Sequence, residues 1–163
     1  MKKNTILKDT LILTAITLIS GLLLGLVYQI TKDPIAEQKE MKKQEAYMAV
    51  FSDADSFEPY IPAEDADLSA YLTENGYTAQ TVNEVMKAVD AQGEVLGYAI
   101  NMTTSEGYGG DITFSMGIKS DGTLNGIEIL DISETAGLGM NAQKDEFKDQ
   151  FKDKKVDKFE VTK

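Results

Sequence analysis

A run of uncharged, mostly apolar residues near the N-terminus constrains this sequence more than any other feature. The run extends from Leu11 to Ile30, LILTAITLISGLLLGLVYQI, and contains no charged side chain over 20 residues. As an α-helix, a run of that length measures about 30 Å, which matches the hydrocarbon core of a bilayer. Lys2, Lys3 and Lys8 precede it, so the positive-inside rule predicts a cytoplasmic N-terminus.

A cleaved signal peptide is a second interpretation of the same run, because signal peptides share the charged start and the apolar stretch. The following segment, VYQITKDPIAEQKE, has no clear small-x-small cleavage site, and the run is longer than a usual signal-peptide core. We therefore favour an uncleaved, single-pass anchor in the cell membrane. This hypothesis divides the chain into a cytoplasmic N-terminus at 1–10, a transmembrane anchor at 11–31, a stalk helix and acidic linker at 32–80, and an extracytoplasmic domain at 81–163.

Composition excludes most kinds of side-chain chemistry. The sequence has no Cys and no His, and all 16 of its basic residues are Lys. A thiolate nucleophile, an imidazole base, a Cys-held iron–sulfur cluster and an ordinary zinc site are therefore excluded, and redox chemistry would need a cofactor. We assign no catalytic side chain and no metal ligand. The net charge of −11 opposes binding to nucleic acid or to an anionic lipid surface.

Between the anchor and Tyr77 the sequence predicts a helix followed by a loop. The segment 33–51, DPIAEQKEMKKQEAYMAVF, is rich in helix formers, with Asp33 placed as a cap and Pro34 as a first helical residue. We expect it to form a stalk helix that continues from the membrane segment. The next segment, 52–77, is acidic, contains two prolines and lacks sustained periodicity. We expect it to be a loop with short helical pieces.

Beyond Thr81 the pattern becomes that of strands. Apolar residues alternate in two segments, which predicts half-buried strands; these residues are Leu96, Tyr98, Ile100 and Met102 in VLGYAINM, and Ile112, Phe114, Met116 and Ile118 in ITFSMGI. The turn AQGE separates the first of these strands from a strand near 85–91, and the turn KSDGT separates the second from LNGIEILDIS. Four short strands with such links predict an antiparallel meander from about 83 to 132. The following AQKDEFKDQFKDKKVDKF places Phe147 and Phe151 at helical spacing, which predicts an amphipathic helix on that sheet and an α+β fold.

Two glycine-rich corners lie between these predicted elements. EGYGGD at 106–111 precedes the third strand, and ETAGLG at 134–139 follows the fourth. Backbone N–H groups in such corners bind phosphate or ring carbonyls without side-chain charge. Taken singly, each corner is most simply an ordinary turn, with Tyr108 a packed aromatic residue. As a pair at strand ends, we expect them to lie on the same side of the domain and to face one cleft.

The stretch EGYGGDITFSMGIKSDGTLNGIEILDISETAGLG resembles the FMN-binding domain of the G subunit of the Rnf electron-transport complex, and of the related C subunit of the sodium-translocating NADH:quinone reductase. That family combines an N-terminal anchor with GYGG, a strand, a D-G turn, a strand and ETPGLG. Ala136 stands where the family usually has Pro, which is expected to loosen the turn slightly. The resemblance implies FMN as the cofactor, with contacts from Gly107, Tyr108, Gly109, Gly110, Glu134, Thr135, Gly137, Leu138 and Gly139.

The resemblance also implies covalent attachment of FMN, through its phosphate, to a threonine in a downstream S-G-A-T motif. The sequence contains no S-G-A-T, and Thr162 in EVTK lacks the small neighbours of that motif. We therefore expect the FMN-binding-type domain to be incomplete at its C-terminus. Either the sequence is a fragment without its C-terminal segment, or this variant is not flavinylated.

The function implied by the resemblance is electron relay through FMN in a membrane complex that oxidises ferredoxin, reduces NAD and moves ions. Its partners would be the other membrane and electron-transfer subunits of the complex and a flavin transferase, so the chain would be a subunit rather than a stand-alone enzyme. The alternative from a different class is an anchored extracytoplasmic binding or assembly module without flavin. A free-standing flavin reductase would need an electron-donor site, for which we find no motif.

Overall fold

The computed structural model describes residues 2–60 and 68–160. Its first element, helix α1, extends from Lys2 to Val50 and contains Pro34 in its interior. The stalk helix continues from the apolar run, as expected, but the predicted cap at Asp33 and helix start at Pro34 are wrong. Apolar residues before Pro34 and strong helix formers after it favour one continuous helix, and this preference outweighs the one backbone hydrogen bond that proline cannot donate.

The chain forms two units, Met1–Met41 and Lys42–Lys163. The described part of the first unit is entirely helical. From Ile6 onward its helix is long and apolar enough to cross a membrane. The large apolar side chains of this unit lie on the surface, with Leu22 and Leu24 exposed to 74% and 72%. Such a surface suits a lipid environment, in which apolar side chains are favourably solvated.

The second unit contains a five-stranded antiparallel sheet in which each strand pairs with its neighbours in sequence. The α+β class and the four predicted strands are confirmed. The sequence did not predict the edge strand β1, because its four residues, SFEP, show no sustained alternation; an edge position tolerates its Pro59. The strands are β1 (Ser56–Pro59), β2 (Gln80–Val89), β3 (Val95–Thr104), β4 (Ile112–Lys119) and β5 (Leu124–Ile132).

The acidic segment between β1 and β2 contains helix α2, Leu68–Glu74. This helix is one of the short helical pieces expected there. Residues 61–67 of the expected loop lie outside the described part of the chain, and residues 56–59 form β1 instead of loop. A turn at Asn75 to Tyr77, closed by a hydrogen bond from the Tyr77 N–H to the Leu72 carbonyl at 2.8 Å, leads from α2 into β2.

The last residues of α1 pack on the sheet face that has the smaller side chains. Tyr47, Val50 and Phe51 are at most 3% exposed, and their cluster includes Ala88 and Ala99. Close approach requires glycine in β3 and β4; a Cβ on Gly97 would lie 2.8 Å from Cζ of Phe51, and one on Gly117 would lie 2.8 Å from the Val50 carbonyl oxygen. The opposite face contains the predicted apolar positions of β4 and the later ones of β3, which are half-buried as expected. Leu96, the first predicted position of β3, instead packs against the cluster on the α1 side.

The amphipathic helix predicted after the sheet is wrong. The segment consists of short pieces: a 3₁₀ turn at Gly139–Gln143, helix α3 at Asp145–Lys148 and a second 3₁₀ turn at Asp149–Phe151. Asp153 then has φ +53°, a left-handed conformation that interrupts helices. Lys154 exchanges two backbone hydrogen bonds with Leu124, at 2.8 and 3.0 Å, so pairing with the sheet replaces helix continuation. The rings of Phe147 and Phe151 still meet, with centroids 5.4 Å apart.

Candidate functional site

The pairing of β4 with β5 brings the two glycine-rich corners to the same end of the sheet. Ile112, the first residue of β4, pairs with Ile132, the last residue of β5. The GYGG corner (106–111) therefore ends beside the point at which the ETAGLG corner (134–139) begins. The expectation that both corners lie on the same side of the domain is confirmed, whereas a cleft shared by the two corners stays a prediction.

The side chain of Glu134 joins the two corners directly. Its Oε1 accepts a hydrogen bond from the backbone N–H of Gly109 at 2.9 Å. The same side chain packs against Gly139, where an added Cβ would lie 2.6 Å from Cβ and 2.8 Å from Cγ of Glu134. Gly139 is thus required by the half-buried Glu134 side chain, because any larger residue would displace it.

Backbone contact explains the glycines of the GYGG corner. A Cβ on Gly107 would overlap the carbonyl oxygen of Gly110, and a Cβ on Gly109 would overlap the carbonyl oxygen of Ser133, which precedes the ETAGLG corner. The two corners, residues 106–111 and 134–139, therefore pack against each other at the end of the sheet, and we call this unit the packed base. Close approach of backbone to backbone, as well as turn conformation, selects glycine here.

The ETAGLG corner contains a tight four-residue turn. The N–H of Leu138 donates a hydrogen bond to the carbonyl oxygen of Thr135 at 3.0 Å, and Gly137, the third residue, has φ +78°. This geometry is typical of a type II turn, which favours Pro at the second position and Gly at the third. Ala136 occupies that second position. The side chain of Asn141 further holds the turn by donating to the Gly137 carbonyl at 2.8 Å.

The packed base carries two apolar side chains that the described part of the protein leaves uncovered. Tyr108, next to Gly109, is 96% exposed, and Leu138, next to Gly139, is 71% exposed. The simple interpretation of Tyr108 as a packed aromatic residue is therefore wrong. Thr135 is also exposed. An exposed aromatic ring and an exposed aliphatic side chain on the same packed base suit a ligand that has apolar faces and a polar edge.

Sequence reasoning missed an apolar cavity of about 800 Å³ on the half-buried face of the sheet. Residues of β4, β5 and the segment 142–159 line it, including Phe114, Ile129 and Phe151. Ile112 also lines the cavity, and its Cγ1 lies 3.0 Å from the position of a Cβ on Gly107, so one side chain of the cavity wall packs against the GYGG corner. The alternation of apolar residues in β4 and β5 was the signal for this surface.

Ion pairs stabilise the chain after the ETAGLG corner. Nζ of Lys148 lies 2.8 Å from Oε2 of Glu128 and 3.1 Å from Oδ1 of Asp145. Hydrogen bonding to Glu128, with a smaller contribution from Asp145, raises the pKa of Lys148. The hydrogen bond from Lys119 to Asp153, at 2.7 Å, lowers the pKa of the Asp153 carboxyl. These contacts fix α3 and the residues after it against β4 and β5.

Two family models match the chain. The model described as the RnfG N-terminal region matches residues 1–50, and the model described as the FMN-binding domain matches residues 107–161. The second range includes every residue of the packed base except Glu106. It also includes most of the residues that line the cavity. Fold and site together therefore define a protein that combines an N-terminal apolar helix with a domain of the FMN-binding family.

The chain is 35% identical over 162 residues to the G subunit of the proton-translocating ferredoxin:NAD(+) oxidoreductase complex of Clostridium ljungdahlii, covering 99% of the chain and 76% of the relative. It is 31% identical over 141 residues to the G subunit of the Na(+)-translocating ferredoxin:NAD(+) oxidoreductase complex of Acetobacterium woodii, covering 85% and 66%. A third relative, the G subunit of the ion-translocating oxidoreductase complex of Pseudoalteromonas atlantica, is 28% identical, covering 84% of the chain and 61% of the relative. The chain belongs to the RnfG family, the G subunits of ion-translocating ferredoxin:NAD oxidoreductase complexes.

Proposed function

We propose that this chain binds FMN and relays electrons between other subunits of an ion-translocating ferredoxin:NAD oxidoreductase complex. The observation that carries the proposal is the Gly109–Glu134 hydrogen bond, which packs the two corners into one base beside the exposed Tyr108 and Leu138. Most of this base lies inside the region matched by the FMN-binding domain. The names of the relatives support a role in such a complex, and the exposed side chains on the packed base support a flavin site there.

In this proposal the backbone of the packed base binds the polar edge of the flavin ring. Leu138 packs on one face of the ring, and Tyr108 stacks beside it. FMN, when bound, supplies the one- and two-electron chemistry that the side chains of this sequence lack. Glycines leave the backbone of these corners open to a ligand. The Gly109 N–H is already donated to Glu134, so Gly109 would contact the ring through the rest of its backbone; the other proposed backbone contacts are Gly107, Gly110, Thr135, Gly137 and Gly139.

We further propose that α1 anchors the protein in the membrane through residues 11–31. Lys2, Lys3 and Lys8 within residues 1–10 favour the cytoplasmic side, which places the chain from 32 onward outside the cytoplasm. Residues 32–80 then provide the stalk and linker, and 81–163 provide the flavin domain. The partners in this arrangement are the membrane and electron-transfer subunits of the complex, together with a flavin transferase.

Titration of the purified chain with FMN tests the central proposal. Residues 1–163 in detergent micelles are expected to quench flavin fluorescence in a saturable manner. Leu138→Ala removes the side chain proposed to cover the ring and should raise the dissociation constant about tenfold, equivalent to about 1.4 kcal/mol. Val95→Ala is a matched control, because Val95 is also an exposed aliphatic residue and lies at the start of β3, away from the corners.

Equal weakening by both substitutions would contradict a specific role for Leu138. Absence of saturable quenching by the unsubstituted chain would contradict flavin binding by these residues. That second result would favour the alternative function, an anchored binding or assembly module that holds no flavin.

A further inference from the structure

We propose that Glu134 is a positioning residue, which holds the two corners together for the flavin without contacting the flavin itself. The identity of the ligand rests on the proposed function, whereas the connection between the corners rests on geometry alone. This role differs from the direct contact that the family resemblance implies for Glu134. The distinction matters because it separates residues that touch FMN from the residue that arranges them.

One carboxylate oxygen of Glu134 is bound by the protein, and the other lies close to Gly139. Oε1 accepts the hydrogen bond of the Gly109 N–H at 2.9 Å and lies 3.1 Å from the position of a Cβ on Gly107. Oε2 lies 3.0 Å from the position of a Cβ on Gly139. The carboxylate therefore sits among three glycines of the two corners, with one oxygen engaged by a charge-assisted hydrogen bond.

The hydrogen bond to Gly109 also determines which groups remain available to the ligand. A carboxylate turned towards a backbone N–H is stabilised by that donor. The same orientation leaves the exposed neighbours of the contacted glycines, Tyr108 and Leu138, as the groups available to the ring.

Removal of the carboxylate should loosen the base locally while the sheet stays folded. Without Glu134, the Gly109 N–H loses this acceptor, and space opens beside Gly139, where the Glu134 side chain now packs. The GYGG corner is then no longer held against the ETAGLG corner by this bond. Tyr108 and Leu138 would adopt variable separations, and ordering them would reduce the affinity for FMN.

The test compares Glu134→Ala and Glu134→Gln in the full chain in micelles, with Glu146→Ala as the control. Glutamine keeps an oxygen acceptor and nearly the same shape but no charge. Glu146 is an exposed carboxylate in α3, so its removal changes the net charge equally without touching either corner. Two quantities are measured: the dissociation constant for FMN, and backbone hydrogen exchange by mass spectrometry in peptides covering 107–111 and 95–104.

Glu134→Ala should raise the dissociation constant for FMN about tenfold and accelerate exchange in 107–111 about tenfold, which corresponds to about 1.4 kcal/mol. Exchange in 95–104, within β3, should stay unchanged, because the sheet does not depend on this bond. Glu134→Gln should restore both quantities to within about twofold of the unsubstituted protein. Glu146→Ala should alter neither.

Two results would overturn the positioning role. In the first, Glu134→Ala changes neither quantity. In the second, Glu134→Gln protects 107–111 from exchange yet binds FMN as weakly as Glu134→Ala, which would mean that the charge itself contacts the ligand. If the unsubstituted chain binds no FMN, the proposed function fails, and exchange in 107–111 still decides whether Glu134 holds the corners together.

Discussion

The hydroxyl group of Tyr47 donates a hydrogen bond to Oε2 of Glu84 at 2.8 Å. Nζ of Lys43 lies 2.8 Å from the same oxygen. Tyr47 is completely buried, and its ring lies 5.6 Å from that of Phe57, measured between centroids. The last turns of α1 are therefore attached to β2 by a shared carboxylate and to β1 by aromatic packing.

Tyr47→Phe should lower the free energy of unfolding of the second unit by about 1–2 kcal/mol, because it removes a hydrogen bond to a carboxylate and keeps the ring. Tyr47→Ala should cost about 3–5 kcal/mol, since it also leaves a cavity. Chemical denaturation followed by circular dichroism measures both changes. Equal stability of the Phe variant and the unsubstituted protein would show that the Tyr47 hydroxyl contributes nothing.

Ala136→Pro should stabilise the second unit by about 0.4–1 kcal/mol. Ala136 occupies the second position of a type II turn, which proline fits, and proline reduces the conformational entropy of the unfolded chain. Thermal unfolding measures the effect. Ala136→Gly serves as the matched control with the opposite sign, because glycine increases the same entropy. A lower melting temperature for the proline variant would contradict the turn assignment.

Stability should fall at alkaline pH through Lys148. Hydrogen bonding to Glu128 and Asp145 raises the pKa of Lys148 above its ordinary value of about 10.4. The associated stabilisation is therefore fully present below about pH 10.4 and is lost as pH rises through the higher pKa of the folded state. Lys148→Met should cost about 1 kcal/mol at pH 7, and the difference from the unsubstituted protein should shrink above about pH 10.4.

Unfolding measured from about pH 7 to about pH 11 checks this dependence. Lys155→Met is the control, because the Lys155–Asp121 pair, at 3.4 Å, is exposed at both side chains and should contribute little. A constant difference between the Lys148 variant and the unsubstituted protein over this range would contradict the assignment.

Residues 1–163, expressed together with a flavin transferase of the family, should carry no covalent FMN. The reason is the absence of S-G-A-T from this sequence, since Thr162 lacks the small neighbours of that motif. Non-covalent FMN should bind weakly, because a covalent tether normally maintains a local concentration in the millimolar range. Intact-mass measurement and in-gel flavin fluorescence after denaturation check the expectation. An adduct on Thr162 or any other residue would contradict it.

A reporter fused after Lys163 should be active only outside the cytoplasm, and the fusion should sediment with membranes. The physical reason is the uncharged run Leu11–Ile30 preceded by lysines. Replacing Lys2, Lys3 and Lys8 by Glu removes the orienting charge and should reduce export of the reporter. A soluble product that begins near Lys32 would show that the run is a cleaved signal peptide.

Local patterns in the sequence were sufficient for the main elements of the fold. The apolar run of α1, the alternation in β3 and β4 and the turn residues between strands are properties of neighbouring residues, so they can be recognised without tertiary contacts. The same patterns failed where distant contacts compete with local preference. Lys154 leaves the expected helix because Leu124 provides backbone partners. Pro34 is a different case, in which the helix preference of the residues on both sides outweighs the local effect of proline.

The position of the glycine corners was also predictable, because antiparallel pairing of two neighbouring strands places the start of one beside the end of the other. The set of residues that contact the flavin came from motif resemblance and stays a proposal. The sequence could not show that Gly107 and Gly109 are required by backbone contacts with Gly110 and Ser133. The contact between Gly109 and Ser133 depends on the distance between two segments about 25 residues apart in the chain.

By itself, the sequence determined the apolar helix, the antiparallel strands and the lack of intrinsic redox side chains, because each follows from residue types at short spacing. Only the tertiary structure decided which sheet face α1 covers, how the C-terminal segment turns back to β5, and where the Glu134 carboxylate points. These depend on steric fit and hydrogen-bond geometry between residues far apart in sequence. Interactions between residues that are distant in sequence produce no periodic pattern along the chain, so sequence patterns alone do not predict them.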